Sequence, residues 1–445
     1  MGGRVKRSSR LMHARSGWFL GVALWLAPAG ALAATVVVAD LSGPIHPIAA
    51  EYVRETLLLA SESGASLYVL RLDTPGGLQT SMDEIVKSIL HSPVPVAAFV
   101  GPSGAKAASA GFYMVMAADI AAAAPGTNLG AATPVAGEGQ ELPETLKRKV
   151  ENDAAAGLRS VVEKRGRNVA LAEEAVFKGR SYSAREALDG HLIDLMVENV
   201  PALVRALDGR EITRFDGKKV KLDLHQVRLV ERPMSWRQKF LAVLINPNLT
   251  FLLMGLGVLC LYIELTNPGL ILPGVVGGVS LILAGLGLSL LPVNYAGAAL
   301  LALGMLLFVL EIKVTSYGLL TVGGMISMIL GGLILIRDPV TPELRLSPAL
   351  IFGLPIGLGI ITFTMITLVV RAHRRRPTTG EAGLIGLQGT AREALEPGRT
   401  GMVFVHGEYW SARAEEPVAA GAAVEVVAVA GLRLKVRPVT KPREG

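Results

Sequence analysis

Pro102-Ser103-Gly104-Ala105-Lys106-Ala107-Ala108-Ser109-Ala110-Gly111 lies between two apolar runs of different character. Residues 94–100, ahead of it, read as a strand; residues 112–118, behind it, suit a helix. A loop of small residues thus delivers one hydroxyl, that of Ser109, to a helix N-terminus. Unpaired amides and the positive end of the helix dipole favour developing negative charge there. This placement makes Ser109 a candidate nucleophile.

The preceding sequence repeats one pattern. Residues 35–40 and 67–72 are short strand-like runs. Ile48, Tyr52, Val53, Thr56, Leu57 and Ala60 recur at helical spacing, as do Leu78, Met82, Ile85, Val86, Ile89 and Leu90. The alternation predicts βαβ units and a largely parallel sheet, in which ligands sit at the carboxyl ends of the strands. Asp73-Thr74-Pro75-Gly76-Gly77 follows the second strand, so it converges with Ser109. Paired glycines let the backbone approach a substrate closely. An amide of Gly76 or Gly77, with that of Ala110, would form an oxyanion hole. A Pro-Gly turn alone is common and decides nothing.

A serine nucleophile needs a base. His91 ends a helix before Ser92-Pro93, His46 sits between nearby prolines, and His191 comes near the end of the domain, so a histidine triad has little support. Lysine is the alternative where desolvation keeps the amine neutral. Along a helix expected over residues 143–163, Lys149 shares an apolar stripe with Leu146, Val150, Ala154 and Leu158. A lysine snorkelling from a core edge gives the same pattern. Lys106 is a rival base in a solvated loop. Asp153, one turn after Lys149, either orients it or is structural.

With 51% hydrophobic residues, a mean hydropathy of +0.46 and 445 residues, part of the chain is not soluble. Residues 249–265, 270–293, 296–311, 318–336 and 349–370 are apolar runs, read as about five spans. Gly277-Gly278, Gly323-Gly324 and Gly331-Gly332 suit close helix packing, and Pro273 and Pro292 suit kinks. Residues 1–33 read as a signal peptide: Arg4, Lys6, Arg7, Arg10 and Arg15, an apolar core at 18–25, then Ala31-Leu32-Ala33. An odd span count places the first soluble domain on the exported side and Arg371, Arg374, Arg375 and Arg376 in the cytoplasm. Arg232, Arg237 and Lys239 run against that topology, and four or six spans, the alternative, would put the last domain outside. The single cysteine, Cys260, excludes a disulfide framework and a thiolate metal cluster. The net charge of +7 follows the ends of apolar segments, with no aromatic-interleaved basic patch, so no nucleic-acid partner is expected. Residues 383–438 read as about five short strands forming a small barrel, with Tyr409 and Trp410 in its core.

Taken in order, Asp73-Thr74-Pro75-Gly76-Gly77, Ala107-Ala108-Ser109-Ala110-Gly111, Ala124-Pro125-Gly126-Thr127-Asn128-Leu129-Gly130, Lys149 with Asn152-Asp153-Ala154, and Gly166-Arg167-Asn168 resemble the NfeD family of membrane-bound serine proteases. The resemblance implies an α/β ClpP/crotonase-like spiral protease domain, then an α-helical transmembrane bundle, then a small all-β OB-fold barrel. It places the family's Ser-Lys dyad on Ser109 and Lys149, with a mobile lid over residues 137–149. The segment 181–194 resembles the tail these folds share. No cofactor or metal is implied. Stomatin-like membrane proteins, cut in a hydrophobic C-terminal region, are the implied substrates or partners, and a homo-oligomer is expected. The expected organisation is a signal peptide over 1–33, a protease domain over 34–208, a linker over 209–240 whose polar part, up to residue 231, reads as a linker or a small β extension, membrane helices over 241–371, a basic linker over 372–382 and the barrel over 383–438. A non-catalytic scaffold partnering stomatin and a signal-peptide peptidase are the rival functions. A crotonase-type acyl-CoA enzyme is disfavoured by export.

Overall fold

The computed structural model describes residues 34–134, 143–267, 269–314, 316–336, 345–373 and 381–439. The expected leader, residues 137–142 of the expected lid, and Arg374, Arg375 and Arg376 lie outside the described residues. The chain divides into two compact units, the first running to Val243 and the second beginning at Leu244.

The first unit opens with β1 (Ala34–Ser42), α1 (Pro47–Glu62), β2 (Leu67–Asp73), α2 (Gln79–Leu90) and β3 (Val96–Val100). β4 (Lys106–Ala108), α3 (Ala110–Ala117), β5 (Ile120–Ala123), β6 (Asn128–Gly130), α4 (Glu144–Lys164) and α5 (Val169–Phe177) follow. The unit ends with β7 (Ser181–Ser183), α6 (Ala184–Asp189), β8 (Leu195–Met196), α7 (Val200–Leu207), β9 (Glu211–Thr213), β10 (Lys219–Lys221), β11 (Val227–Glu231) and α8 (Trp236–Leu244). The main sheet has the order β11-β1-β2-β3-β5-β8, and every neighbouring pair is parallel. β3 is buried along its whole length, as expected of a strand covered on both faces. A second sheet, β4-β6-β7, stands at the carboxyl ends of β2 and β3 and turns the chain into a spiral.

Two expectations change here. Within residues 209–240, β11 pairs with β1 as the edge strand of the main sheet, so of the two readings the segment is the β extension of the α/β unit and not a linker. Its Val-Arg-Leu-Val-Glu sequence reads as polar because an edge strand keeps one ladder side in water. Neither Pro273 nor Pro292 kinks a helix. The first lies in an opening helical turn, where its missing amide costs nothing; the second lies beyond that helix's end.

In the second unit, α9 (Pro247–Thr266), α10 (Ile271–Ser289), α11 (Tyr295–Leu310), α12 (Leu319–Ile334) and α13 (Pro348–His373) are the apolar helices. Three of them, α9, α10 and α13, are long and apolar enough to cross a membrane; α11 and α12 have 16 residues each. A Cβ on Gly277 would lie 3.0 Å from the Gly257 carbonyl oxygen, and one on Gly324 3.1 Å from that of Gly304. Glycines thus set the close α9–α10 and α11–α12 contacts. The short α14 (Glu381–Leu384) leads into β12 (Gln388–Ala391), β13 (Thr400–Val405), β14 (Glu408–Ala414), β15 (Ala423–Ala430) and β16 (Arg433–Pro438). These five strands close into a barrel of order β12-β13-β14-β16-β15, consistent with an OB-fold. Tyr409 is 59% exposed and meets the Phe404 ring in a tilted contact, centroids 5.0 Å apart, outside the expected core. The two-residue period of β14 explains the correction: Ala412 and Ala414 point inward, so Tyr409 points out and Trp410 inward.

Candidate active site

Ser109 stands between β4 and α3 with φ 51° and ψ −117°, a conformation rare for a residue with a side chain. Its amide donates to the Gly130 carbonyl at 2.9 Å, and its own carbonyl accepts from Phe112 N–H at 2.9 Å. These bonds on both sides hold the strained residue in place, and its hydroxyl caps no helix amide. α3 is buried along nearly all of its length, so the turn before it rests on a rigid support.

The second loop is tied to the first. Thr74 N–H donates to the Lys106 carbonyl at 2.7 Å, and Ala108 N–H donates to the Thr74 carbonyl at 3.1 Å. Gly76 has φ +113° and passes so close to Ser109 that no side chain fits between them. Gly77 runs against Ile45, where an added Cβ would lie 2.2 Å from the Ile45 carbonyl oxygen. The two glycine amides differ. Gly76 N–H donates to Thr74 Oγ1 at 3.1 Å. Gly77 N–H has no acceptor among the described residues, and Ala110 N–H opens α3, where no intrahelical acceptor exists.

Ser109, Gly77, Ala110 and Lys149 line one cavity of about 980 Å³, together with Asp83, Tyr113, Asp153 and the apolar residues Met82, Val86, Leu158 and Val161. The histidines His46, His91 and His191 do not line it, and neither does Lys106. Lys149 comes from α4, whose deeper half packs through Ala155, Leu158 and Val162. The expected desolvation of Lys149 is not met. Its side chain is exposed, and it has no ion-pair or hydrogen-bond partner among the described residues. The stripe it shares with Leu146 faces the open cleft, and Leu146 is itself exposed. Asp153 is likewise exposed.

Sequence reasoning missed Thr74, Asp83 and Tyr113. Thr74 is fully buried and its hydroxyl organises the glycine loop. Burial raises the Asp83 carboxyl, Lys87 lowers it, and the like charge of Asp153 adds to the rise. Burial pushes the Tyr113 phenol up to about 12. The polar Asp83 beside Met82 on an otherwise regular apolar stripe was the available signal.

A strained serine at the carboxyl ends of a parallel sheet, followed in the chain by apolar helices and a closed β-barrel, defines a membrane protein with a ClpP/crotonase-like α/β domain. Family models match along most of its length: the N-terminal domain of NfeD1b over residues 35–204, the NfeD integral membrane domain over 248–370, and the NfeD-like C-terminal, partner-binding domain over 381–438. The membrane-bound protease PH1510 of Pyrococcus horikoshii is 33% identical over 92% of this chain and 94% of its own. Membrane protein NfeD1b of Bacillus subtilis is 28% identical over 56% of this chain and 55% of its own. Among solved structures, the 1510-N membrane protease specific for a stomatin homolog from Pyrococcus horikoshii is 28% identical, covering 47% of this chain and 98% of its own at a TM-score of 0.42. The chain belongs to the NfeD family.

Proposed function

We propose that this protein is a membrane-anchored serine endopeptidase that cuts apolar peptide segments with a Ser109–Lys149 dyad. One observation carries the reading: Ser109, Lys149 and the unengaged amides of Gly77 and Ala110 open into the same cavity. A peptide lying over Met82, Val86 and Leu158 takes water away from the amine, which favours its neutral form. Lys149 Nζ then accepts the proton of Ser109 Oγ, and the alkoxide attacks the scissile carbonyl. The Gly77 and Ala110 amides hold the oxyanion; Gly76, whose amide is spent on Thr74, shapes the loop instead. The protonated lysine gives its proton to the leaving amine, and water releases the acyl group. No step calls for a metal or cofactor.

The PH1510 relative is described as a membrane-bound protease, and the solved 1510-N protein as specific for a stomatin homolog. We carry that substrate class over: the hydrophobic C-terminal region of a stomatin-like membrane protein. The protease domain acts on the exported side of a multi-pass protein with a cytoplasmic barrel, and works as a homo-oligomer. The test is cleavage of an apolar peptide by the full chain in detergent, comparing it with Ser109→Ala and Lys149→Ala. Both variants should keep their melting temperature and lose turnover by at least about 10³-fold. Equal turnover in all three proteins overturns the dyad.

A further inference from the structure

α8 wears its apolar face outward. Trp236 is 81% exposed, Phe240 44% and Val243 58%. Spaced at i, i+4 and i+7, they form one stripe. The opposite face is docked, with Gln238 buried beside the half-buried Leu241 and Ala242. Gln238 is 3% exposed, and its Nε2 donates to Glu55 Oε2 at 2.8 Å. Arg237 pairs with Glu51, which like Glu55 lies on α1. The helix start is fixed as well: Ser235 N–H donates to Gln238 Oε1 at 2.9 Å, and Gln238 N–H donates to Ser235 Oγ at 3.3 Å. A helix on a domain surrounded by water turns its apolar stripe inward and its polar face out. α8 instead leaves its bulkiest apolar side chains outside, and two side-chain contacts to α1 hold it that way.

The chain itself says what covers the outward face. Only Ile245 and Asn246 separate α8 from α9, an apolar helix long enough to cross a membrane. Two residues span at most about 7 Å, so the end of α8 cannot leave the surface that α9 enters. Lys239 is exposed beside the stripe and Arg232 is exposed four residues ahead of the helix; neither makes an ion pair among the described residues.

We infer that α8 is an interfacial helix, with Trp236, Phe240 and Val243 seated at the boundary between lipid headgroups and acyl chains, and Lys239 and Arg232 among anionic headgroups. An indole with its apolar body and N–H suits that depth, and basic flanks add attraction to acidic lipids. The grip extends inward. α8 holds α1 through Glu51 and Glu55, and the chain just before α1 holds the glycine loop: Ile45 N–H donates to the Gly76 carbonyl at 2.8 Å, and Leu78 N–H to the Ile45 carbonyl at 2.8 Å. A lipid-seated α8 therefore anchors the element against which Gly77 is placed. The inference stands whether or not Ser109 is a nucleophile.

The test uses the full chain in phosphatidylcholine–phosphatidylglycerol vesicles. With Cys260→Ser as background, a nitroxide is attached at Phe240→Cys, at Val243→Cys and at Lys239→Cys in separate proteins. Collision with oxygen, which concentrates in lipid, is compared with collision with a water-soluble nickel chelate. The expected result is a shift toward oxygen at positions 240 and 243 and toward nickel at 239. Two independent sites on the stripe guard against one variant failing to fold. Preference for nickel at 240 and 243 would put the stripe in water and overturn the inference. Low collision with both reagents would mean a protein surface, such as a second copy, covers it, which overturns it equally.

Discussion

A methyl group on Gly76 would stand 2.6 Å from the Cβ of Ser109 and 3.0 Å from its Oγ. Non-bonded carbons do not approach that closely, and the φ of +113° at Gly76 penalises a side chain independently. Gly76→Ala must therefore move either the loop after β2 or the serine. Peptide cleavage should fall by at least about 10²-fold, with a loss of about 1–3 kcal/mol in unfolding free energy. Steady-state rates and a denaturant titration on the same preparation read both. An unchanged rate would remove the glycine loop from the site.

Thr74 Oγ1 accepts the Gly76 amide at 3.1 Å from a fully buried position. Thr74→Val keeps the shape and deletes the acceptor. The freed Gly76 amide and loosened loop should misplace the neighbouring Gly77 donor, which acts mainly on the transition state. The expected result is a fall in kcat of about tenfold or more with KM little changed, and recovery in Thr74→Ser. A loss confined to KM would assign Thr74 to substrate binding instead.

These two residues show what the sequence made legible. The strand, small-residue loop and helix around Ser109 follow from local pattern, because β3 is wholly apolar and α3 nearly so. That Gly76 and Gly77 lie near Ser109 followed from strand polarity alone. Which amide is free did not, because it depends on a hydroxyl two residues away. The stripe on α4 gave the helix its phase and put Lys149 on the cleft side, but periodicity cannot measure how deep a cleft is. β11 was left open between linker and β extension because an edge strand keeps charged residues. The outward stripe of α8 was hidden because periodicity gives a helix its apolar face but not the direction that face points.

His46 caps α1 by accepting Ala49 N–H on Nδ1 at 3.1 Å, which requires an unprotonated ring nitrogen. Burial lowers its pKa from 6.5 to about 4. The unfolded chain therefore takes up this proton first as pH falls. The stabilisation is whole above pH 6.5 and is lost as pH drops from 6.5 to 4, amounting to about 3 kcal/mol. His46→Asn keeps a capping acceptor without the titration. Stability measured from pH 7.5 to 4 should decline less steeply in that variant, and parallel curves would clear His46 of the effect.

Among the described residues, Asp119 is the one carboxylate that pairs with both Arg165 and Arg214. Arg165 Nη1 lies 2.6 Å and Arg214 Nε 3.2 Å from Oδ1, and Val96 N–H donates to Oδ2 at 2.8 Å; the aspartate side chain is 1% exposed. Asp119→Asn leaves two cations without a counter-charge in the interior. Breaking a buried pair in this way costs about 3–5 kcal/mol. The melting temperature of the variant should drop by several degrees while the peptide KM of the surviving fold is retained, because Asp119 does not line the cavity.

The last prediction concerns the apolar bundle. Glu311, just past the end of α11, is 7% exposed and accepts Ser316 Oγ at 2.7 Å, Gly318 N–H at 3.0 Å and Thr321 N–H at 2.9 Å. One carboxylate thereby serves the turn into α12 and two amides at the start of that helix, whose positive dipole end favours it. In apolar surroundings each donor left unsatisfied costs about 1–3 kcal/mol. Glu311→Ala strands all three, so the α11–α12 pair should melt in detergent well below the native protein. Glu311→Gln retains one acceptor oxygen and should fall between the two. An alanine variant as stable as the glutamine would mean that water or lipid headgroups serve those donors, and that Glu311 is not what closes the hairpin.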